Sequence, residues 1–119
     1  MKRGSTKQAK REIRHRRIRS EIEGTSQQPR VSVFRSSQHI SAQLIDDENG
    51  RTLVHAGDTE IKKEKKSKKT DMAREVGKLL AERAMAAKIK KVVFDRSGYK
   101  FHGRVKSLAE GVRGAGLQF

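Results

Sequence analysis

Large apolar residues are sparse in this chain, and their spacing changes along it. From Met1 to Arg30 only Ile13, Ile18 and Ile22 are large and apolar. At 100° per residue Ile18 and Ile22 share a helix face and Ile13 does not, which is too weak a stripe to bury a helix. Residues 1–29 therefore read as an arm, flexible or helical only on a partner. After Gln27, Gln28 and Pro29 the pattern changes. Val31, Val33 and Phe34 open a β-branched and aromatic run that predicts a strand from Val31 to Arg35, ended by Ser36, Ser37 and Gln38. Ile40, Ala42 and Leu44 then alternate with His39, Ser41 and Gln43, the period of a strand with one buried face. Asp46 to Gly50 form a turn containing Asn-Gly, and Thr52 to Ala56 returns as a third, antiparallel strand.

The stretch EIKKEKKSKK, residues 60–69, holds six lysines, two glutamates and almost nothing apolar. It is either a solvated linker or a phosphate-facing loop. From Asp71, Met72, Val76, Leu79, Leu80, Ala84 and Ala87 recur at spacings of three and four, predicting an amphipathic helix. KKVVFD, residues 90–95, has the contiguous apolar run of a strand buried on both faces, expected to lie parallel in the same sheet. Val105, Leu108, Ala109 and Val112 mark a last helix, weakened by Gly111 and closed by Gly114 and Gly116. The order is βββαβα. The expected fold class is α/β: a mixed four-stranded sheet, three antiparallel strands plus one parallel crossover strand, packed with two helices and preceded by a basic N-terminal arm. The globular domain spans 30–119, with a lysine-rich loop at 60–70.

Charge changes the picture from fold to function. Lys and Arg number 29 against 14 Asp and Glu, a net +15 on 119 residues. Such a chain repels itself unless a polyanion neutralises it, and nucleic acid is the natural one. No apolar run approaches the roughly 20 residues a membrane span needs, and the N-terminus has no apolar signal segment. There is no cysteine, so neither a disulfide framework nor a thiolate metal site is available. The four histidines, His15, His39, His55 and His102, are dispersed; a zinc site would need carboxylates from unrelated segments. No metal, cofactor or small-molecule substrate is expected.

The richest chemistry follows the fourth strand, where Asp95 to Arg104 lead into the last helix. Gly98 and Gly103 allow close backbone approach, the helix start offers unpaired N–H groups, and Arg96, Lys100 and Arg104 add charge. Tyr99 and Phe101 admit two readings, stacking on unpaired bases or capping the core of a tight turn. Asp95 beside Arg96 and near His102 invites a nuclease reading, but metal-assisted phosphodiester chemistry wants several converging carboxylates. The expectation is instead that Asp95 orients Arg96 or caps the turn. No glycine-rich phosphate loop or nucleophile elbow is present, and the chain is not expected to be an enzyme.

Four blocks, RHRRIR, PRVSVFRSSQHISAQ, VGKLLAERA and KKVVFDRSGYKFHGRVKSLAEGVRGAGLQF, resemble the bacterial large-subunit ribosomal protein family conventionally numbered eighteen. The resemblance runs from Arg11 to Phe119. It implies a non-enzymatic α/β protein that binds 5S rRNA, touches the large-subunit rRNA in the central protuberance, sits near other 5S-associated ribosomal proteins and is located on the cytoplasmic ribosome. Carried over by motif, the RNA contacts fall on Arg11, Arg14, His15, Arg16, Arg17 and Arg19 of the arm. A second group is Arg30, Ser32, Phe34, Arg35, Ser36, His39 and Gln43. A third is Arg96, Tyr99, Lys100, His102, Gly103, Arg104 and Lys106. The sequence departs from the family at Ser41, where an aromatic is usual, and at Ser97 and Phe101, which replace the commoner glycine and tyrosine. At Lys88 glycine is usual, so a lysine must adopt left-handed geometry or the helix must end differently. Charge alone would equally suit a general polyanion or DNA-compacting protein.

Overall fold

Strict alternation from Ile40 to Asp46, with every second residue buried, sets the plane of the sheet and its core face. A computed structural model describes residues 7–21, 23–61, 68–96, 99 and 102–119, with the backbone alone at 18, 20 and 21. The elements are α1 (Lys7–Glu21), β1 (Arg30–Arg35), β2 (Ile40–Asp46), β3 (Arg51–Gly57), α2 (Lys69–Ala86), β4 (Val93–Asp95) and α3 (Arg104–Gly114). The sheet order is β3-β2-β1-β4, antiparallel except for the parallel β1–β4 pair. The α/β class, the four-stranded mixed sheet and the parallel fourth strand are as the pattern predicts.

Register aligns Val31 with Leu44 and Val33 with Ala42 on one face, and Val54 and Ala56 continue the same rows onto β3. Against this face α2 and α3 bring Val76, Leu80, Ala84, Val105, Leu108 and Val112, all buried in one core. Each fully buried Val or Leu contributes roughly 1.5–3 kcal/mol, so this single two-layer interface carries the stability of the domain. The residues that α2 buries also include Ala73, Gly77 and Ala81, a small-residue row that the spacing of large side chains did not reveal. It lets α2 and α3 approach closely: a methyl on Gly77 would meet the carbonyl of Leu108, and one on Gly111 the carbonyl of Arg74.

β4 departs from expectation. KKVVFD was read as a strand buried on both faces, yet only Val93–Asp95 pairs with β1, at the sheet edge, and Val93 and Phe94 are half-buried. The C-terminal residues cover part of this edge. Val92 N–H donates to the Gln118 carbonyl at 2.9 Å, Gln118 N–H donates to the Lys90 carbonyl at 3.0 Å, and Phe119 stacks on Phe94 at 5.3 Å. The apolar run therefore serves one sheet face and a C-terminal clasp. Within the arm, Lys7–Glu21 forms a helix. Ser97, Gly98, Lys100, Phe101 and the lysines at 62–66 lie outside the described residues.

α2 and α3 end on the same cap. Ile89 N–H reaches back to the Ala84 carbonyl at 2.9 Å and Leu117 N–H to that of Val112 at 3.3 Å, and both Ile89 and Leu117 are buried. The left-handed residue before each is Gly116 (φ 114°) in α3 but Lys88 (φ 65°) in α2. A side chain in that geometry costs roughly 1–2 kcal/mol, part of which glycine gives back through its looser unfolded chain. Lys88→Gly should therefore raise stability by about 1 kcal/mol in urea melts. Gly111→Ala should do the reverse. Helix propensity alone favours alanine by about 1 kcal/mol, but overpacking against Arg74 costs about 1–3 kcal/mol, so the melt should show a net loss; a gain would contradict the close crossing.

Candidate nucleic-acid interface

Arg30, first residue of β1, sits 8% exposed with its guanidinium spread over two carboxylates. Nη1 donates to Asp95 at 2.8 Å, while Nε and Nη2 each donate to Asp47 at 3.1 Å. Asp95, whose side chain is fully buried, lies on β4, and Asp47 lies in the β2–β3 hairpin. A planar fork reaching both is a task for arginine and not for lysine. Burial works against the charge on Arg30, but the hydrogen bonds and charges of Asp47 and Asp95 outweigh it and raise its pKa. The hydrogen bond from Arg30 holds the Asp47 carboxyl below its ordinary value; burial opposes this, and the Gly24 N–H and the Arg30 and Arg19 charges reinforce it.

This cluster also seats α1. Arg11, His15 and Arg19 recur every four residues and so share one helix face. Arg11 donates to the Tyr99 hydroxyl at 2.9 Å, His15 Nε2 lies 3.4 Å from Asp95, and Arg19 lies 3.5 Å from Asp47 and 4.0 Å from Asp95. Gly24 N–H donates to Asp47 at 2.6 Å, and Asp47 N–H returns a bond to the Gly24 carbonyl at 3.0 Å, fixing the segment after the helix. Ile13 is 43% exposed. Among the described side chains, these polar contacts tie the helix to the domain.

With α1 in place, Lys7, Lys10, Arg11 and Arg14 face Arg35 and Arg104 across a cleft of about 910 Å³, and no Asp or Glu is among its described lining residues. Tyr99 forms part of its lining, 7% exposed, with Arg11 4.8 Å and Arg35 5.2 Å from its ring centre. Its hydroxyl donates to the Arg35 carbonyl at 2.9 Å. Of the two readings left open for Tyr99, the structure places the ring inward. Arg104 Nη1 donates to the Ser36 carbonyl at 2.8 Å, whereas its buried Nε has no partner among the described residues. Burial first, and Arg35 second, push the Arg104 pKa down.

The sequence-derived residues thus separate. Arg11, Arg14, Arg35, Ser36, Tyr99, His102 and Arg104 converge on the cleft. Ser32 and Gln43 are register partners on the outer sheet face, beside Phe34, which is 62% exposed and opposite Ser41. Arg16, Arg17, His39, His102 and Lys106 are exposed; Arg96 and Gly103 are partly so. Arg30, expected as an RNA contact, lies inside the ion-pair cluster. Asp95, expected to orient Arg96 or cap its turn, takes Arg30 from 65 residues away. Lys100 lies outside the described residues. Sequence reasoning missed Lys7 and Lys10, which with Arg11 and Arg14 form a row at helical spacing. It also missed Asp58, which lies 3.2 Å from His39 Nδ1 and accepts from Ile40 N–H at 3.2 Å.

Fold and charge together define a class: a small α/β protein whose cations are either consumed in building the domain or gathered to meet a polyanion. Among the described residues no helix is long and apolar enough to cross a membrane. Residues 5–119 match the family described as ribosomal L18 of archaea, bacteria, mitochondria and chloroplasts. The chain is 59% identical over 106 residues to the large ribosomal subunit protein uL18 of Chloroherpeton thalassium, covering 87% of this chain and 88% of that one. It is 52% identical over 122 residues to the uL18 of Kosmotoga olearia (100% and 99% covered), and 52% over 109 residues to that of Clostridium botulinum (92% of each). The chain belongs to the ribosomal L18 family and is a structural protein of the large ribosomal subunit.

The Asp47 contacts set an acid sensitivity. Its folded pKa lies below the unfolded value of about 3.9, so its contribution is fully present above that value and lost as pH falls through the folded one. Stability measured by urea melts should fall as pH drops below about 4. In Asp47→Asn the melt should be weaker at neutral pH and shallower in its acid dependence; an unchanged acid slope would show that the carboxylate is not a strong link.

Proposed function

We propose that this chain binds 5S rRNA and helps attach it to the large-subunit rRNA in the central protuberance, without catalysing a reaction. The observation that carries the proposal is the cleft, in which cations from α1, β1 and α3 are held close together with no acid among its described lining residues. Repulsion of this kind is relieved when phosphates enter. The outer sheet face, with Phe34 exposed between polar neighbours, offers a second and different surface, an aromatic platform for an unpaired base. Two such surfaces suit a protein that holds two RNA elements together, with neighbouring ribosomal proteins as further partners. The resemblance to the 5S-binding family supports the same reading. Asp95, the carboxylate that would have to serve a nuclease, is fully buried against Arg30.

The test is selectivity across salt. Phosphate contacts alone give affinity that falls steeply with salt and ignores sequence, while a built site keeps a preference. Binding should be measured to 5S rRNA and to a DNA duplex of similar length from about 50 to 200 mM salt. Both affinities should fall with salt, and 5S rRNA should stay tighter by on the order of 10³ at the upper end. Equal affinity throughout would leave a general polyanion binder.

A further inference from the structure

We propose that Asn49 is a site of self-modification: its side-chain amide is lost through a cyclic imide closed by the Gly50 nitrogen, and the carboxylate that results loosens the β2–β3 hairpin. Asn49 is the one asparagine of the chain, and glycine follows it at the exposed tip of that hairpin. Imide closure needs the main-chain nitrogen of the next residue to reach Cγ of Asn49, and a side chain on that residue obstructs the approach. Gly50 has none, and a methyl built on it would find nothing within 4 Å. Its φ of 61° lies in the left-handed region open to glycine. The reaction balances with water alone. The Gly50 nitrogen gives up its proton and bonds to Cγ, the Cγ–Nδ2 bond breaks, and Nδ2 leaves as ammonia. Water then opens the imide at either carbonyl, giving aspartate or its isomer, whose main chain is one carbon longer.

Asp46 supplies both a brake and a consequence. Its residue is 2% exposed, and its carboxylate accepts from the Glu48 N–H at 3.1 Å and from Asn49 Nδ2 at 2.7 Å. The leaving nitrogen is the one that Asp46 holds. Each closure must therefore break a charge-assisted hydrogen bond, and reaction in the folded hairpin is slower than in an open chain. Once the amide is gone, an oxygen that shares a negative charge stands where Asp46 had a donor. Two carboxylates then occupy a place built for an acid and an amide, and like charges so close repel. The isomer adds a second fault, an extra main-chain carbon in the turn that sets the Asp46–Arg51 register pair. Asp47, the next residue, carries the contacts to Arg30 and Gly24, so a loosened hairpin reaches the ion-pair cluster.

The experiment ages the full chain at mildly alkaline pH and body temperature, folded and in urea. Peptide mass mapping follows the loss of the amide, and enzymatic methylation reads the isoaspartate. Product should accumulate at Asn49 ahead of every glutamine, about tenfold more slowly in the folded chain than in urea. Gly50→Ala, compared in urea where strain in the turn plays no part, should slow the reaction at least about tenfold. Freshly made Asn49→Asp stands for the product, and Asn49→Ser loses the amide without adding charge. In urea melts at neutral pH the unfolded-to-folded ratio of Asn49→Asp should exceed that of Asn49→Ser at least about threefold. An Asn49 that stays intact in the folded chain while it converts in urea, or a rate unchanged in Gly50→Ala, would overturn the site. Equal rates in the folded and unfolded chain would overturn the part given to Asp46 as a brake. Equal melts of Asn49→Asp and Asn49→Ser would overturn the loosening of the hairpin.

Discussion

Arg30 is the joint on which the rest of this structure turns. One guanidinium reaches a strand and a hairpin that are far apart in sequence: Asp95 on β4 and Asp47 after β2. The pairing does more than hold two acids. β4 is a three-residue edge strand, and its last residue buries a carboxylate that Arg30 meets at 2.8 Å, closer than His15 at 3.4 Å or Arg19 at 4.0 Å. Removing one partner from such a buried pair typically costs about 3–5 kcal/mol, because the other is left charged and dry. The same two carboxylates then recruit His15 and Arg19, so the position of α1 is inherited from a contact made inside the domain.

That inheritance divides the positive charge of the chain into two populations. Arg30 and Arg19 sit with acids and build the fold, and their charge is compensated before any ligand arrives. Lys7, Lys10, Arg35 and Arg104 gather where no described acid lines the space. Net charge cannot distinguish these populations. It predicts steep salt dependence and says nothing of selectivity, whereas selectivity comes from holding uncompensated cations at fixed separations on a rigid frame.

The sheet and the two packed helices were legible because their determinant is local and periodic: alternation at 40–46, three-and-four spacing at 72–84. What escaped the sequence is non-local or small. α1 has no apolar stripe to announce it; its partners stand 80 and 88 residues away at Asp95 and Tyr99. Once a helix is granted, the row Lys7, Lys10, Arg11, Arg14 is visible, and so is the cleft wall it forms. The burial of β4, not its place in the sheet, was misread, because Val92, Val93 and Phe94 look alike whether the second face meets a helix or the C-terminal Phe119. The row of Ala73, Gly77 and Ala81 was passed over because small residues have little hydrophobic weight, although closeness of approach is what they supply. Residue types at the candidate site were readable from motif; which arginine is structural and which faces the cleft was not, since that depends on where the acids fall in space.

The way α1 is held has a consequence for binding. An isolated helix of 15 residues is marginal in water, and the contacts that seat this one are partly exposed ion pairs and a cation over a ring, each worth roughly 1 kcal/mol or less. Salt weakens exposed pairs, so it loosens the polar contacts that dock α1. A helix already docked on the domain presents its cations in one arrangement, which lowers the ordering cost of meeting a polyanion. Asp47 and Asp95, by holding His15 and Arg19, therefore fix where the α1 wall of the cleft stands.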